Sequence, residues 1–363
     1  MTDARTAAWR SRWITTVAAC LLAGCAASGG PAVLHFGMED APEGRRIVWP
    51  QPPDVPRYLY AGQLVGELNF RRPGAEGAAA GARLFRWVVG LDSEEANRSV
   101  LQRPLAGMVD AAGRIYVTDM SRRAVYVFDE RAGELLVWEH AAGLASFISP
   151  AGIAEGRAGE VLVADADLAM VVRLDATGRP VGAIGKGVLK RPTGIARDAT
   201  SGRIYVADTH AHAILVFDDA GARVDTIGRR GEGDGEFNFP THLALAKGEL
   251  FVTDTMNNRV QVFGTDGRFR RRFGASGLYL GNLVRPKGVA VDNEGHVYVV
   301  ESYYDHLLVF GPGGEFLLPI GGTGTETGRF YLPAGVWTDS RNRVFVADMY
   351  NGRVVIFQFL GGG

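Results

Sequence analysis

Two histidines and a set of carboxylates are the residues of this 363-residue chain best suited to hold a cation. His210 stands two positions after Asp208, and His242 two positions after Pro240. Imidazole nitrogen with carboxylate oxygen suits zinc or a similar divalent ion. A site made from His210, His242 and Asp208, with Asp254 or Glu301 adding oxygen, would support metal-assisted lyase or hydrolase chemistry. The competing reading is structural: His242 fills a crowded position and hydrogen-bonds a neighbour. A second group combines Lys287, Glu301, Tyr303, Tyr304 and His306. A cation, a carboxylate, two phenols and an imidazole suit recognition better than bond making, because Tyr is favoured at interfaces. Tyr331 and Tyr350 would extend that aromatic rim.

A further set of acids recurs too regularly to be catalytic. Asp119, Asp165, Asp208, Asp254 and Asp348 each close a Val-rich run, with Glu301 in the same column. One acid per unit at one strand end reads as a cap on nearby backbone N–H groups. Asp254 with Arg259, and Asp348 with Arg353, share a spacing that suits an ion pair. The chain contains neither a G-x-S-x-G elbow nor a G-x-x-x-x-G-K-[ST] phosphate loop. Its cysteines are Cys20 and Cys25, which leaves no thiolate cluster in the body of the chain.

The elements that must position these residues follow from a repeat. Pro104, Pro150, Pro192, Pro240, Pro286 and Pro333 open six similar segments, spaced by 46, 42, 48, 46 and 47 residues. A period in that range points to stacked or radial repeats. Each unit has four short apolar runs rich in Val, Ile, Phe and Tyr, bounded by Gly, Asp or Pro, which is strand punctuation. The expected fold is all-β: a six-bladed β-propeller of four-stranded antiparallel blades. The proline begins the innermost strand, where its missing N–H costs nothing. A small residue follows two positions later (Ala106, Gly152, Gly194, Gly288, Gly335), except at His242. The last unit lacks a fourth strand after Arg353-VVIFQFL, so an N-terminal strand is expected to close the ring. Residues 84–90, LFRWVVG, resemble the fourth strands and are the expected donor; residues 57–64 have no slot in that count.

The units resemble the NHL repeat family over about residues 84–359. The resemblance is carried by P-x-G-[IV]-A, then G-x-[IV]-[YF]-V-[AT]-D, then a run such as Arg259-Val260-Gln261-Val262-Phe263. It implies a six-bladed propeller that acts mainly as a binding platform. A few relatives are enzymes, among them the peptidylglycine amidating lyase with a metal in its channel. That likeness is at the level of fold, and its catalytic constellation has no residue-by-residue match here.

The amino terminus reads as targeting sequence. Arg5, Arg10 and Arg12 precede an apolar run from Trp13 to Ala23, too short to span a bilayer. Leu22-Ala23-Gly24-Cys25 resembles a bacterial lipobox, which implies cleavage before Cys25 and lipidation of its thiol. Ala26 in place of Asp favours the outer membrane by the sorting rule of enteric bacteria. The expected organisation is a signal peptide over 1–24, a flexible tether over 25–53 and the propeller over 54–363. Loss of residues 1–24 leaves 36 basic against 39 acidic groups, a net charge of −3. Such a domain is a poor nucleic-acid binder. The expected role is a lipid-anchored scaffold of the cell envelope, recognising a protein, peptide or polysaccharide through one loop face. No cofactor is expected beyond a possible single divalent metal.

Overall fold

The computed structural model describes residues 32–38, 46–71 and 99–361. Six antiparallel sheets follow the proline period, one blade per unit. Blade III is typical: Pro192–Arg197 is innermost, then Ile204–Asp208, Ala213–Phe217 and Arg223–Ile227 outermost. The two middle strands of that blade are buried throughout, whereas the outer one keeps only Ile227 inside. Strand burial thus falls from continuous in the middle strands to a single end residue in the outer one.

The core is six wedges between consecutive blades. Between blades II and III it holds Leu162, Ala164, Val171, Ile204, Val206 and Phe217. Between blade VI and blade I it holds Leu64, Leu101, Ile115, Phe128, Phe345 and Ile356. A sixth wedge of this kind exists only if the ring is closed. Tyr116, Tyr205 and Tyr298 are fully enclosed, each contributing roughly 2–3 kcal/mol of apolar burial.

Closure comes from an N-terminal strand, but from an earlier one than the 84–90 pattern suggests. Tyr58–Leu64 pairs antiparallel with Arg353–Phe359, with Leu64 opposite Val354 and Tyr58 opposite Phe359. Its alternation buries Tyr58, Tyr60 and Leu64. The strand left without a slot is therefore the fourth strand of blade VI; residues 84–90 lie outside the described residues. Val48–Trp49 adds a fifth strand beyond it, with Trp49 edge-on to Phe357 at 5.3 Å.

The structure also differs from a tether running to residue 53. Val33–Leu34 pairs with Phe70–Arg71. Buried Asn69 holds this crossing: its Nδ2 donates to His35 O at 2.7 Å and Gln63 O at 2.8 Å, and its Oδ1 accepts from Val65 N at 2.7 Å. Cys25 and the signal segment lie outside the described residues.

All six repeat prolines are buried; five begin the inner strand, and Pro333 precedes it by three residues. Gly194 shows why a small residue follows. A Cβ there would stand 2.6 Å from Thr241 O in the next blade. Blades I and IV carry Ala106 and His242 at this position, and both place Thr before the column acid. Thr118 Oγ1 accepts from Ala106 N at 3.1 Å, and Thr253 Oγ1 from His242 N at 2.9 Å. The hydroxyl serves an amide that a closer blade-to-blade approach serves elsewhere: Gly288 N donates to Ala334 O of the next blade at 2.8 Å.

Candidate functional site

Each inner strand starts opposite the end of the second strand, Pro192 facing Asp208 in blade III. One face of the ring therefore collects the inner-strand starts, the hairpins between second and third strands, and the loops between blades. In blades III, IV and VI these hairpins are short 3-10 turns, Thr209–Ala211, Thr255–Asn257 and Met349–Asn351. Each ends on a left-handed residue: His212, Asn258 and Gly352, with φ of 55°, 55° and 62°. His212 occupies a conformation that Gly or Asn adopts more readily.

The acid column is structural. Asp119 accepts from Gln102 N at 2.6 Å, Arg103 N at 3.0 Å and Arg122 N at 2.9 Å. Asp165 and Asp208 take the amides that lead into their own inner strands in the same way. Asp254 and Asp348 also bind Arg259 Nε and Arg353 Nε, both at 2.8 Å. Burial raises the affinity of both carboxyls for protons, against the pull of these donors. Glu301 belongs to this column: it accepts from Val284 N, Arg285 N and Tyr303 N, and only 1% of it is exposed. Its carboxylate caps these amides, and the residue also lines the cleft of Tyr303 and Tyr304.

The proposed ligand set does not assemble. Both oxygens of Asp208 are taken by the amides of Lys190 and Arg191 at 2.8 Å. His210 lies edge-on to Phe239, 6.2 Å between ring centres. His242 instead lines the central channel, a space of about 270 Å³. Its Nδ1 is 3.1 Å from Thr241 Oγ1. The ring keeps some contact with the channel, yet it lies so deep that burial, aided by the charge of Lys287, pushes its pKa down to about 3. Lys287 is also shifted down, by burial and then by Arg285. Among the described residues no three His, Cys, Asp or Glu side chains converge at metal-binding spacing.

What the structure does bring together is Glu301, Tyr303, Tyr304 and His306, without Lys287. They line a surface cleft of about 470 Å³. The Tyr rings meet edge to face at 4.9 Å. The opposite wall is Leu278, Tyr279 and Leu280, exposed by 87%, 84% and 63%. Arg329 and Thr323 come from the next loop. The Arg285 guanidinium lies over Tyr303 at 5.7 Å, and Arg103 over Tyr350 at 5.0 Å. His306 Nδ1 is buried without a hydrogen-bond partner. Sequence reasoning missed the Leu278–Leu280 wall and Arg329. Three consecutive large apolar residues between two strand runs, with no place in the repeat, were the available signal.

A larger cleft, about 600 Å³, opens on the far side, where Pro50, Val55 and Tyr58 cross blade V beside His296 and Phe359. Behind it Asp292 accepts from Tyr298 Oη at 2.8 Å and lies 2.9 Å from His296 Nδ1. Blade I repeats this arrangement with Asp110, Arg114 and Tyr116, so it is a turn-locking device of the repeat.

Residues 237–263 match the NHL repeat model, and residues 196–249 match a family described as a 6-bladed beta-propeller. "Protein brain tumor" of Drosophila melanogaster is 34% identical over 113 residues, which is 30% of this chain and 10% of that protein. The chain thus spans about a tenth of that relative's length. Among solved structures, a streptogramin B lyase superposes with TM-score 0.53 at 13% identity, over 71% of this chain and 94% of the lyase. An auxiliary nutrient binding protein from Bacteroides thetaiotaomicron superposes with TM-score 0.58 at 11% identity, over 72% and 70%. At such identities the structural likeness shows the fold alone. The chain is a six-bladed β-propeller that carries an NHL repeat at residues 237–263.

Proposed function

We propose that this chain is a recognition module that holds a protein partner on its loop face, tethered to the cell envelope through a lipid on Cys25. The observation that carries this reading is the clustering of exposed apolar side chains on that face. Leu144, Met256, Leu278, Tyr279, Leu280, Tyr303, Tyr331 and Tyr350 are all there, each at least 46% exposed. Isolated exposed apolar residues need no explanation, but a clustered set marks an interaction surface. The strands hold position while the loops carry the contacts. Envelope proteins and peptides are the partners that suit this surface.

The test is capture from envelope extract by the full chain, with Tyr303→Ala/Tyr304→Ala on the loop face and Leu317→Ala on an outer strand. Partner capture lost in the first variant and kept in the second supports the reading. Equal capture by both overturns it. The second reading, a metal-assisted lyase or hydrolase, draws on His242 lining the channel. It requires a metal bound by wild-type protein and released in His242→Ala, which elemental analysis of the purified chain would detect.

A further inference from the structure

The cleft at Tyr303 has a chemistry that narrows the partner. Its walls include two Leu and three Tyr side chains, and Arg329 stands at its rim. A volume of about 470 Å³ lies within the range of ligand pockets. Arg329 lines the cleft and makes no salt bridge among the described residues, whereas Arg285 lies over Tyr303 and acts on the buried Glu301 carboxylate. Arg329 makes only a long bond, 3.4 Å, to Gly321 O. The acids beneath are already engaged: Glu301 by three amides, and Asp305 by Thr323 Oγ1 at 2.8 Å and Leu332 N at 2.7 Å. The cation that faces the cleft without an ion pair is therefore Arg329, while Glu301 and Asp305 are held by their own donors.

We infer that this cleft binds a peptide segment in which a bulky aromatic or aliphatic side chain adjoins an acidic one. The apolar side chain enters between the Leu278–Leu280 wall and the Tyr303–Tyr304 pair. The adjoining carboxylate meets Arg329, and a guanidinium pairs well with a planar carboxylate. The Tyr hydroxyls and the Asn282 amide, which also line the cleft, can orient the ligand's backbone. A polysaccharide, which stacks on aromatic faces, is the competing occupant; the exposed Leu278 and Leu280 favour an apolar side chain instead.

This inference rests on the recognition reading and makes it specific. The experiment uses the full chain against a tethered positional-scanning hexapeptide library and, in parallel, an oligosaccharide array. The expected result is enrichment of Phe, Tyr, Trp or Leu next to Asp or Glu. Binding should fall about tenfold in Tyr303→Ala and in Arg329→Gln, the loss typical of a central contact. It should also weaken as salt is raised. Both residues are exposed, so neither variant threatens the fold. Enrichment of neutral or basic peptides that still depends on Tyr303 would overturn the acidic pairing and leave the loop-face reading standing. Capture of oligosaccharides alone would overturn the peptide class. Peptide binding indifferent to Tyr303 and Arg329 would overturn the site, and no enrichment on either array would overturn the inference altogether.

Discussion

At the scale of single residues, two kinds of buried charge behave differently. Asp254 and Arg259 are a fixed pair, 0% and 6% exposed at their side chains, with the guanidinium also bound to three carbonyls. Removing one partner leaves a buried ion alone, so Asp254→Ala should destabilise the fold by about 3–5 kcal/mol. Pairing it with Arg259→Leu should recover part of that loss. Additive effects in a double-mutant cycle would show that the two do not couple. His242 is buried without an acid. Its pKa in the folded chain is about 3, below the ordinary 6.5, so the unfolded chain binds more protons between those values. Stability therefore rises with pH across that window and is lost as pH falls from about 6.5 toward 3. In His242→Gln that slope should be shallower by up to a few kcal/mol, at about 1.4 kcal/mol per unit. Urea unfolding of both proteins at pH 7 and pH 4 measures it. A pH dependence unchanged by the substitution would mean that the imidazole charges freely in the native channel.

Elements come next, and here the proline period and the acid column made the fold legible. Each proline marks a strand that can spare an N–H, and each acid marks the strand end that faces it. Glu301 shows the limit of reading by exception. A longer side chain does the same capping work, because its two oxygens reach the same amides as an Asp does. The closing strand was misassigned for a related reason. Short apolar runs look alike in sequence, and only pairing with Arg353–Phe359 selects Tyr58–Leu64. The Tyr303 cleft was half legible: its hairpin stood out, but its Leu278–Leu280 wall belongs to a loop that no period describes. Closure by Tyr58–Leu64 has a direct test. Leu64 is 0% exposed in the wedge between blades VI and I, so Leu64→Ala should cost about 2–5 kcal/mol, visible as a lower urea midpoint. A loss below ~0.5 kcal/mol, the size of an ordinary surface change, would remove the strand from the ring.

On the scale of the whole molecule, the path of the chain sets which face looks outward. Tyr58 lies beside Phe359 and pocket residue His296, at the end of the ring opposite the loop face, and the strand then runs toward Val65 and Leu101 on the loop side. Ala32 rests against Gly133, in the hairpin between the third and fourth strands of blade I, which is again on the far side. If Cys25 carries the lipid, the link from Cys25 to Ala32 spans at most about 25 Å when extended. With that anchor, so short a link would keep the far side toward the bilayer and Tyr303 and its cleft away from it. The proposed recognition face would then be free for a partner beyond the membrane surface. In the cleaved, acylated protein Cys20 would be removed and Cys25 blocked, so a single introduced cysteine would be the one thiol to label. A fluorophore on Arg131→Cys, exposed on the far side, should be quenched by nitroxide lipids in the vesicles that hold the anchored protein. The same fluorophore on Tyr303→Cys should not be quenched. Equal quenching would mean that the ring tumbles on its link, and stronger quenching at position 303 would mean that the loop face docks on lipid, with the apolar Leu278–Leu280 wall as its contact.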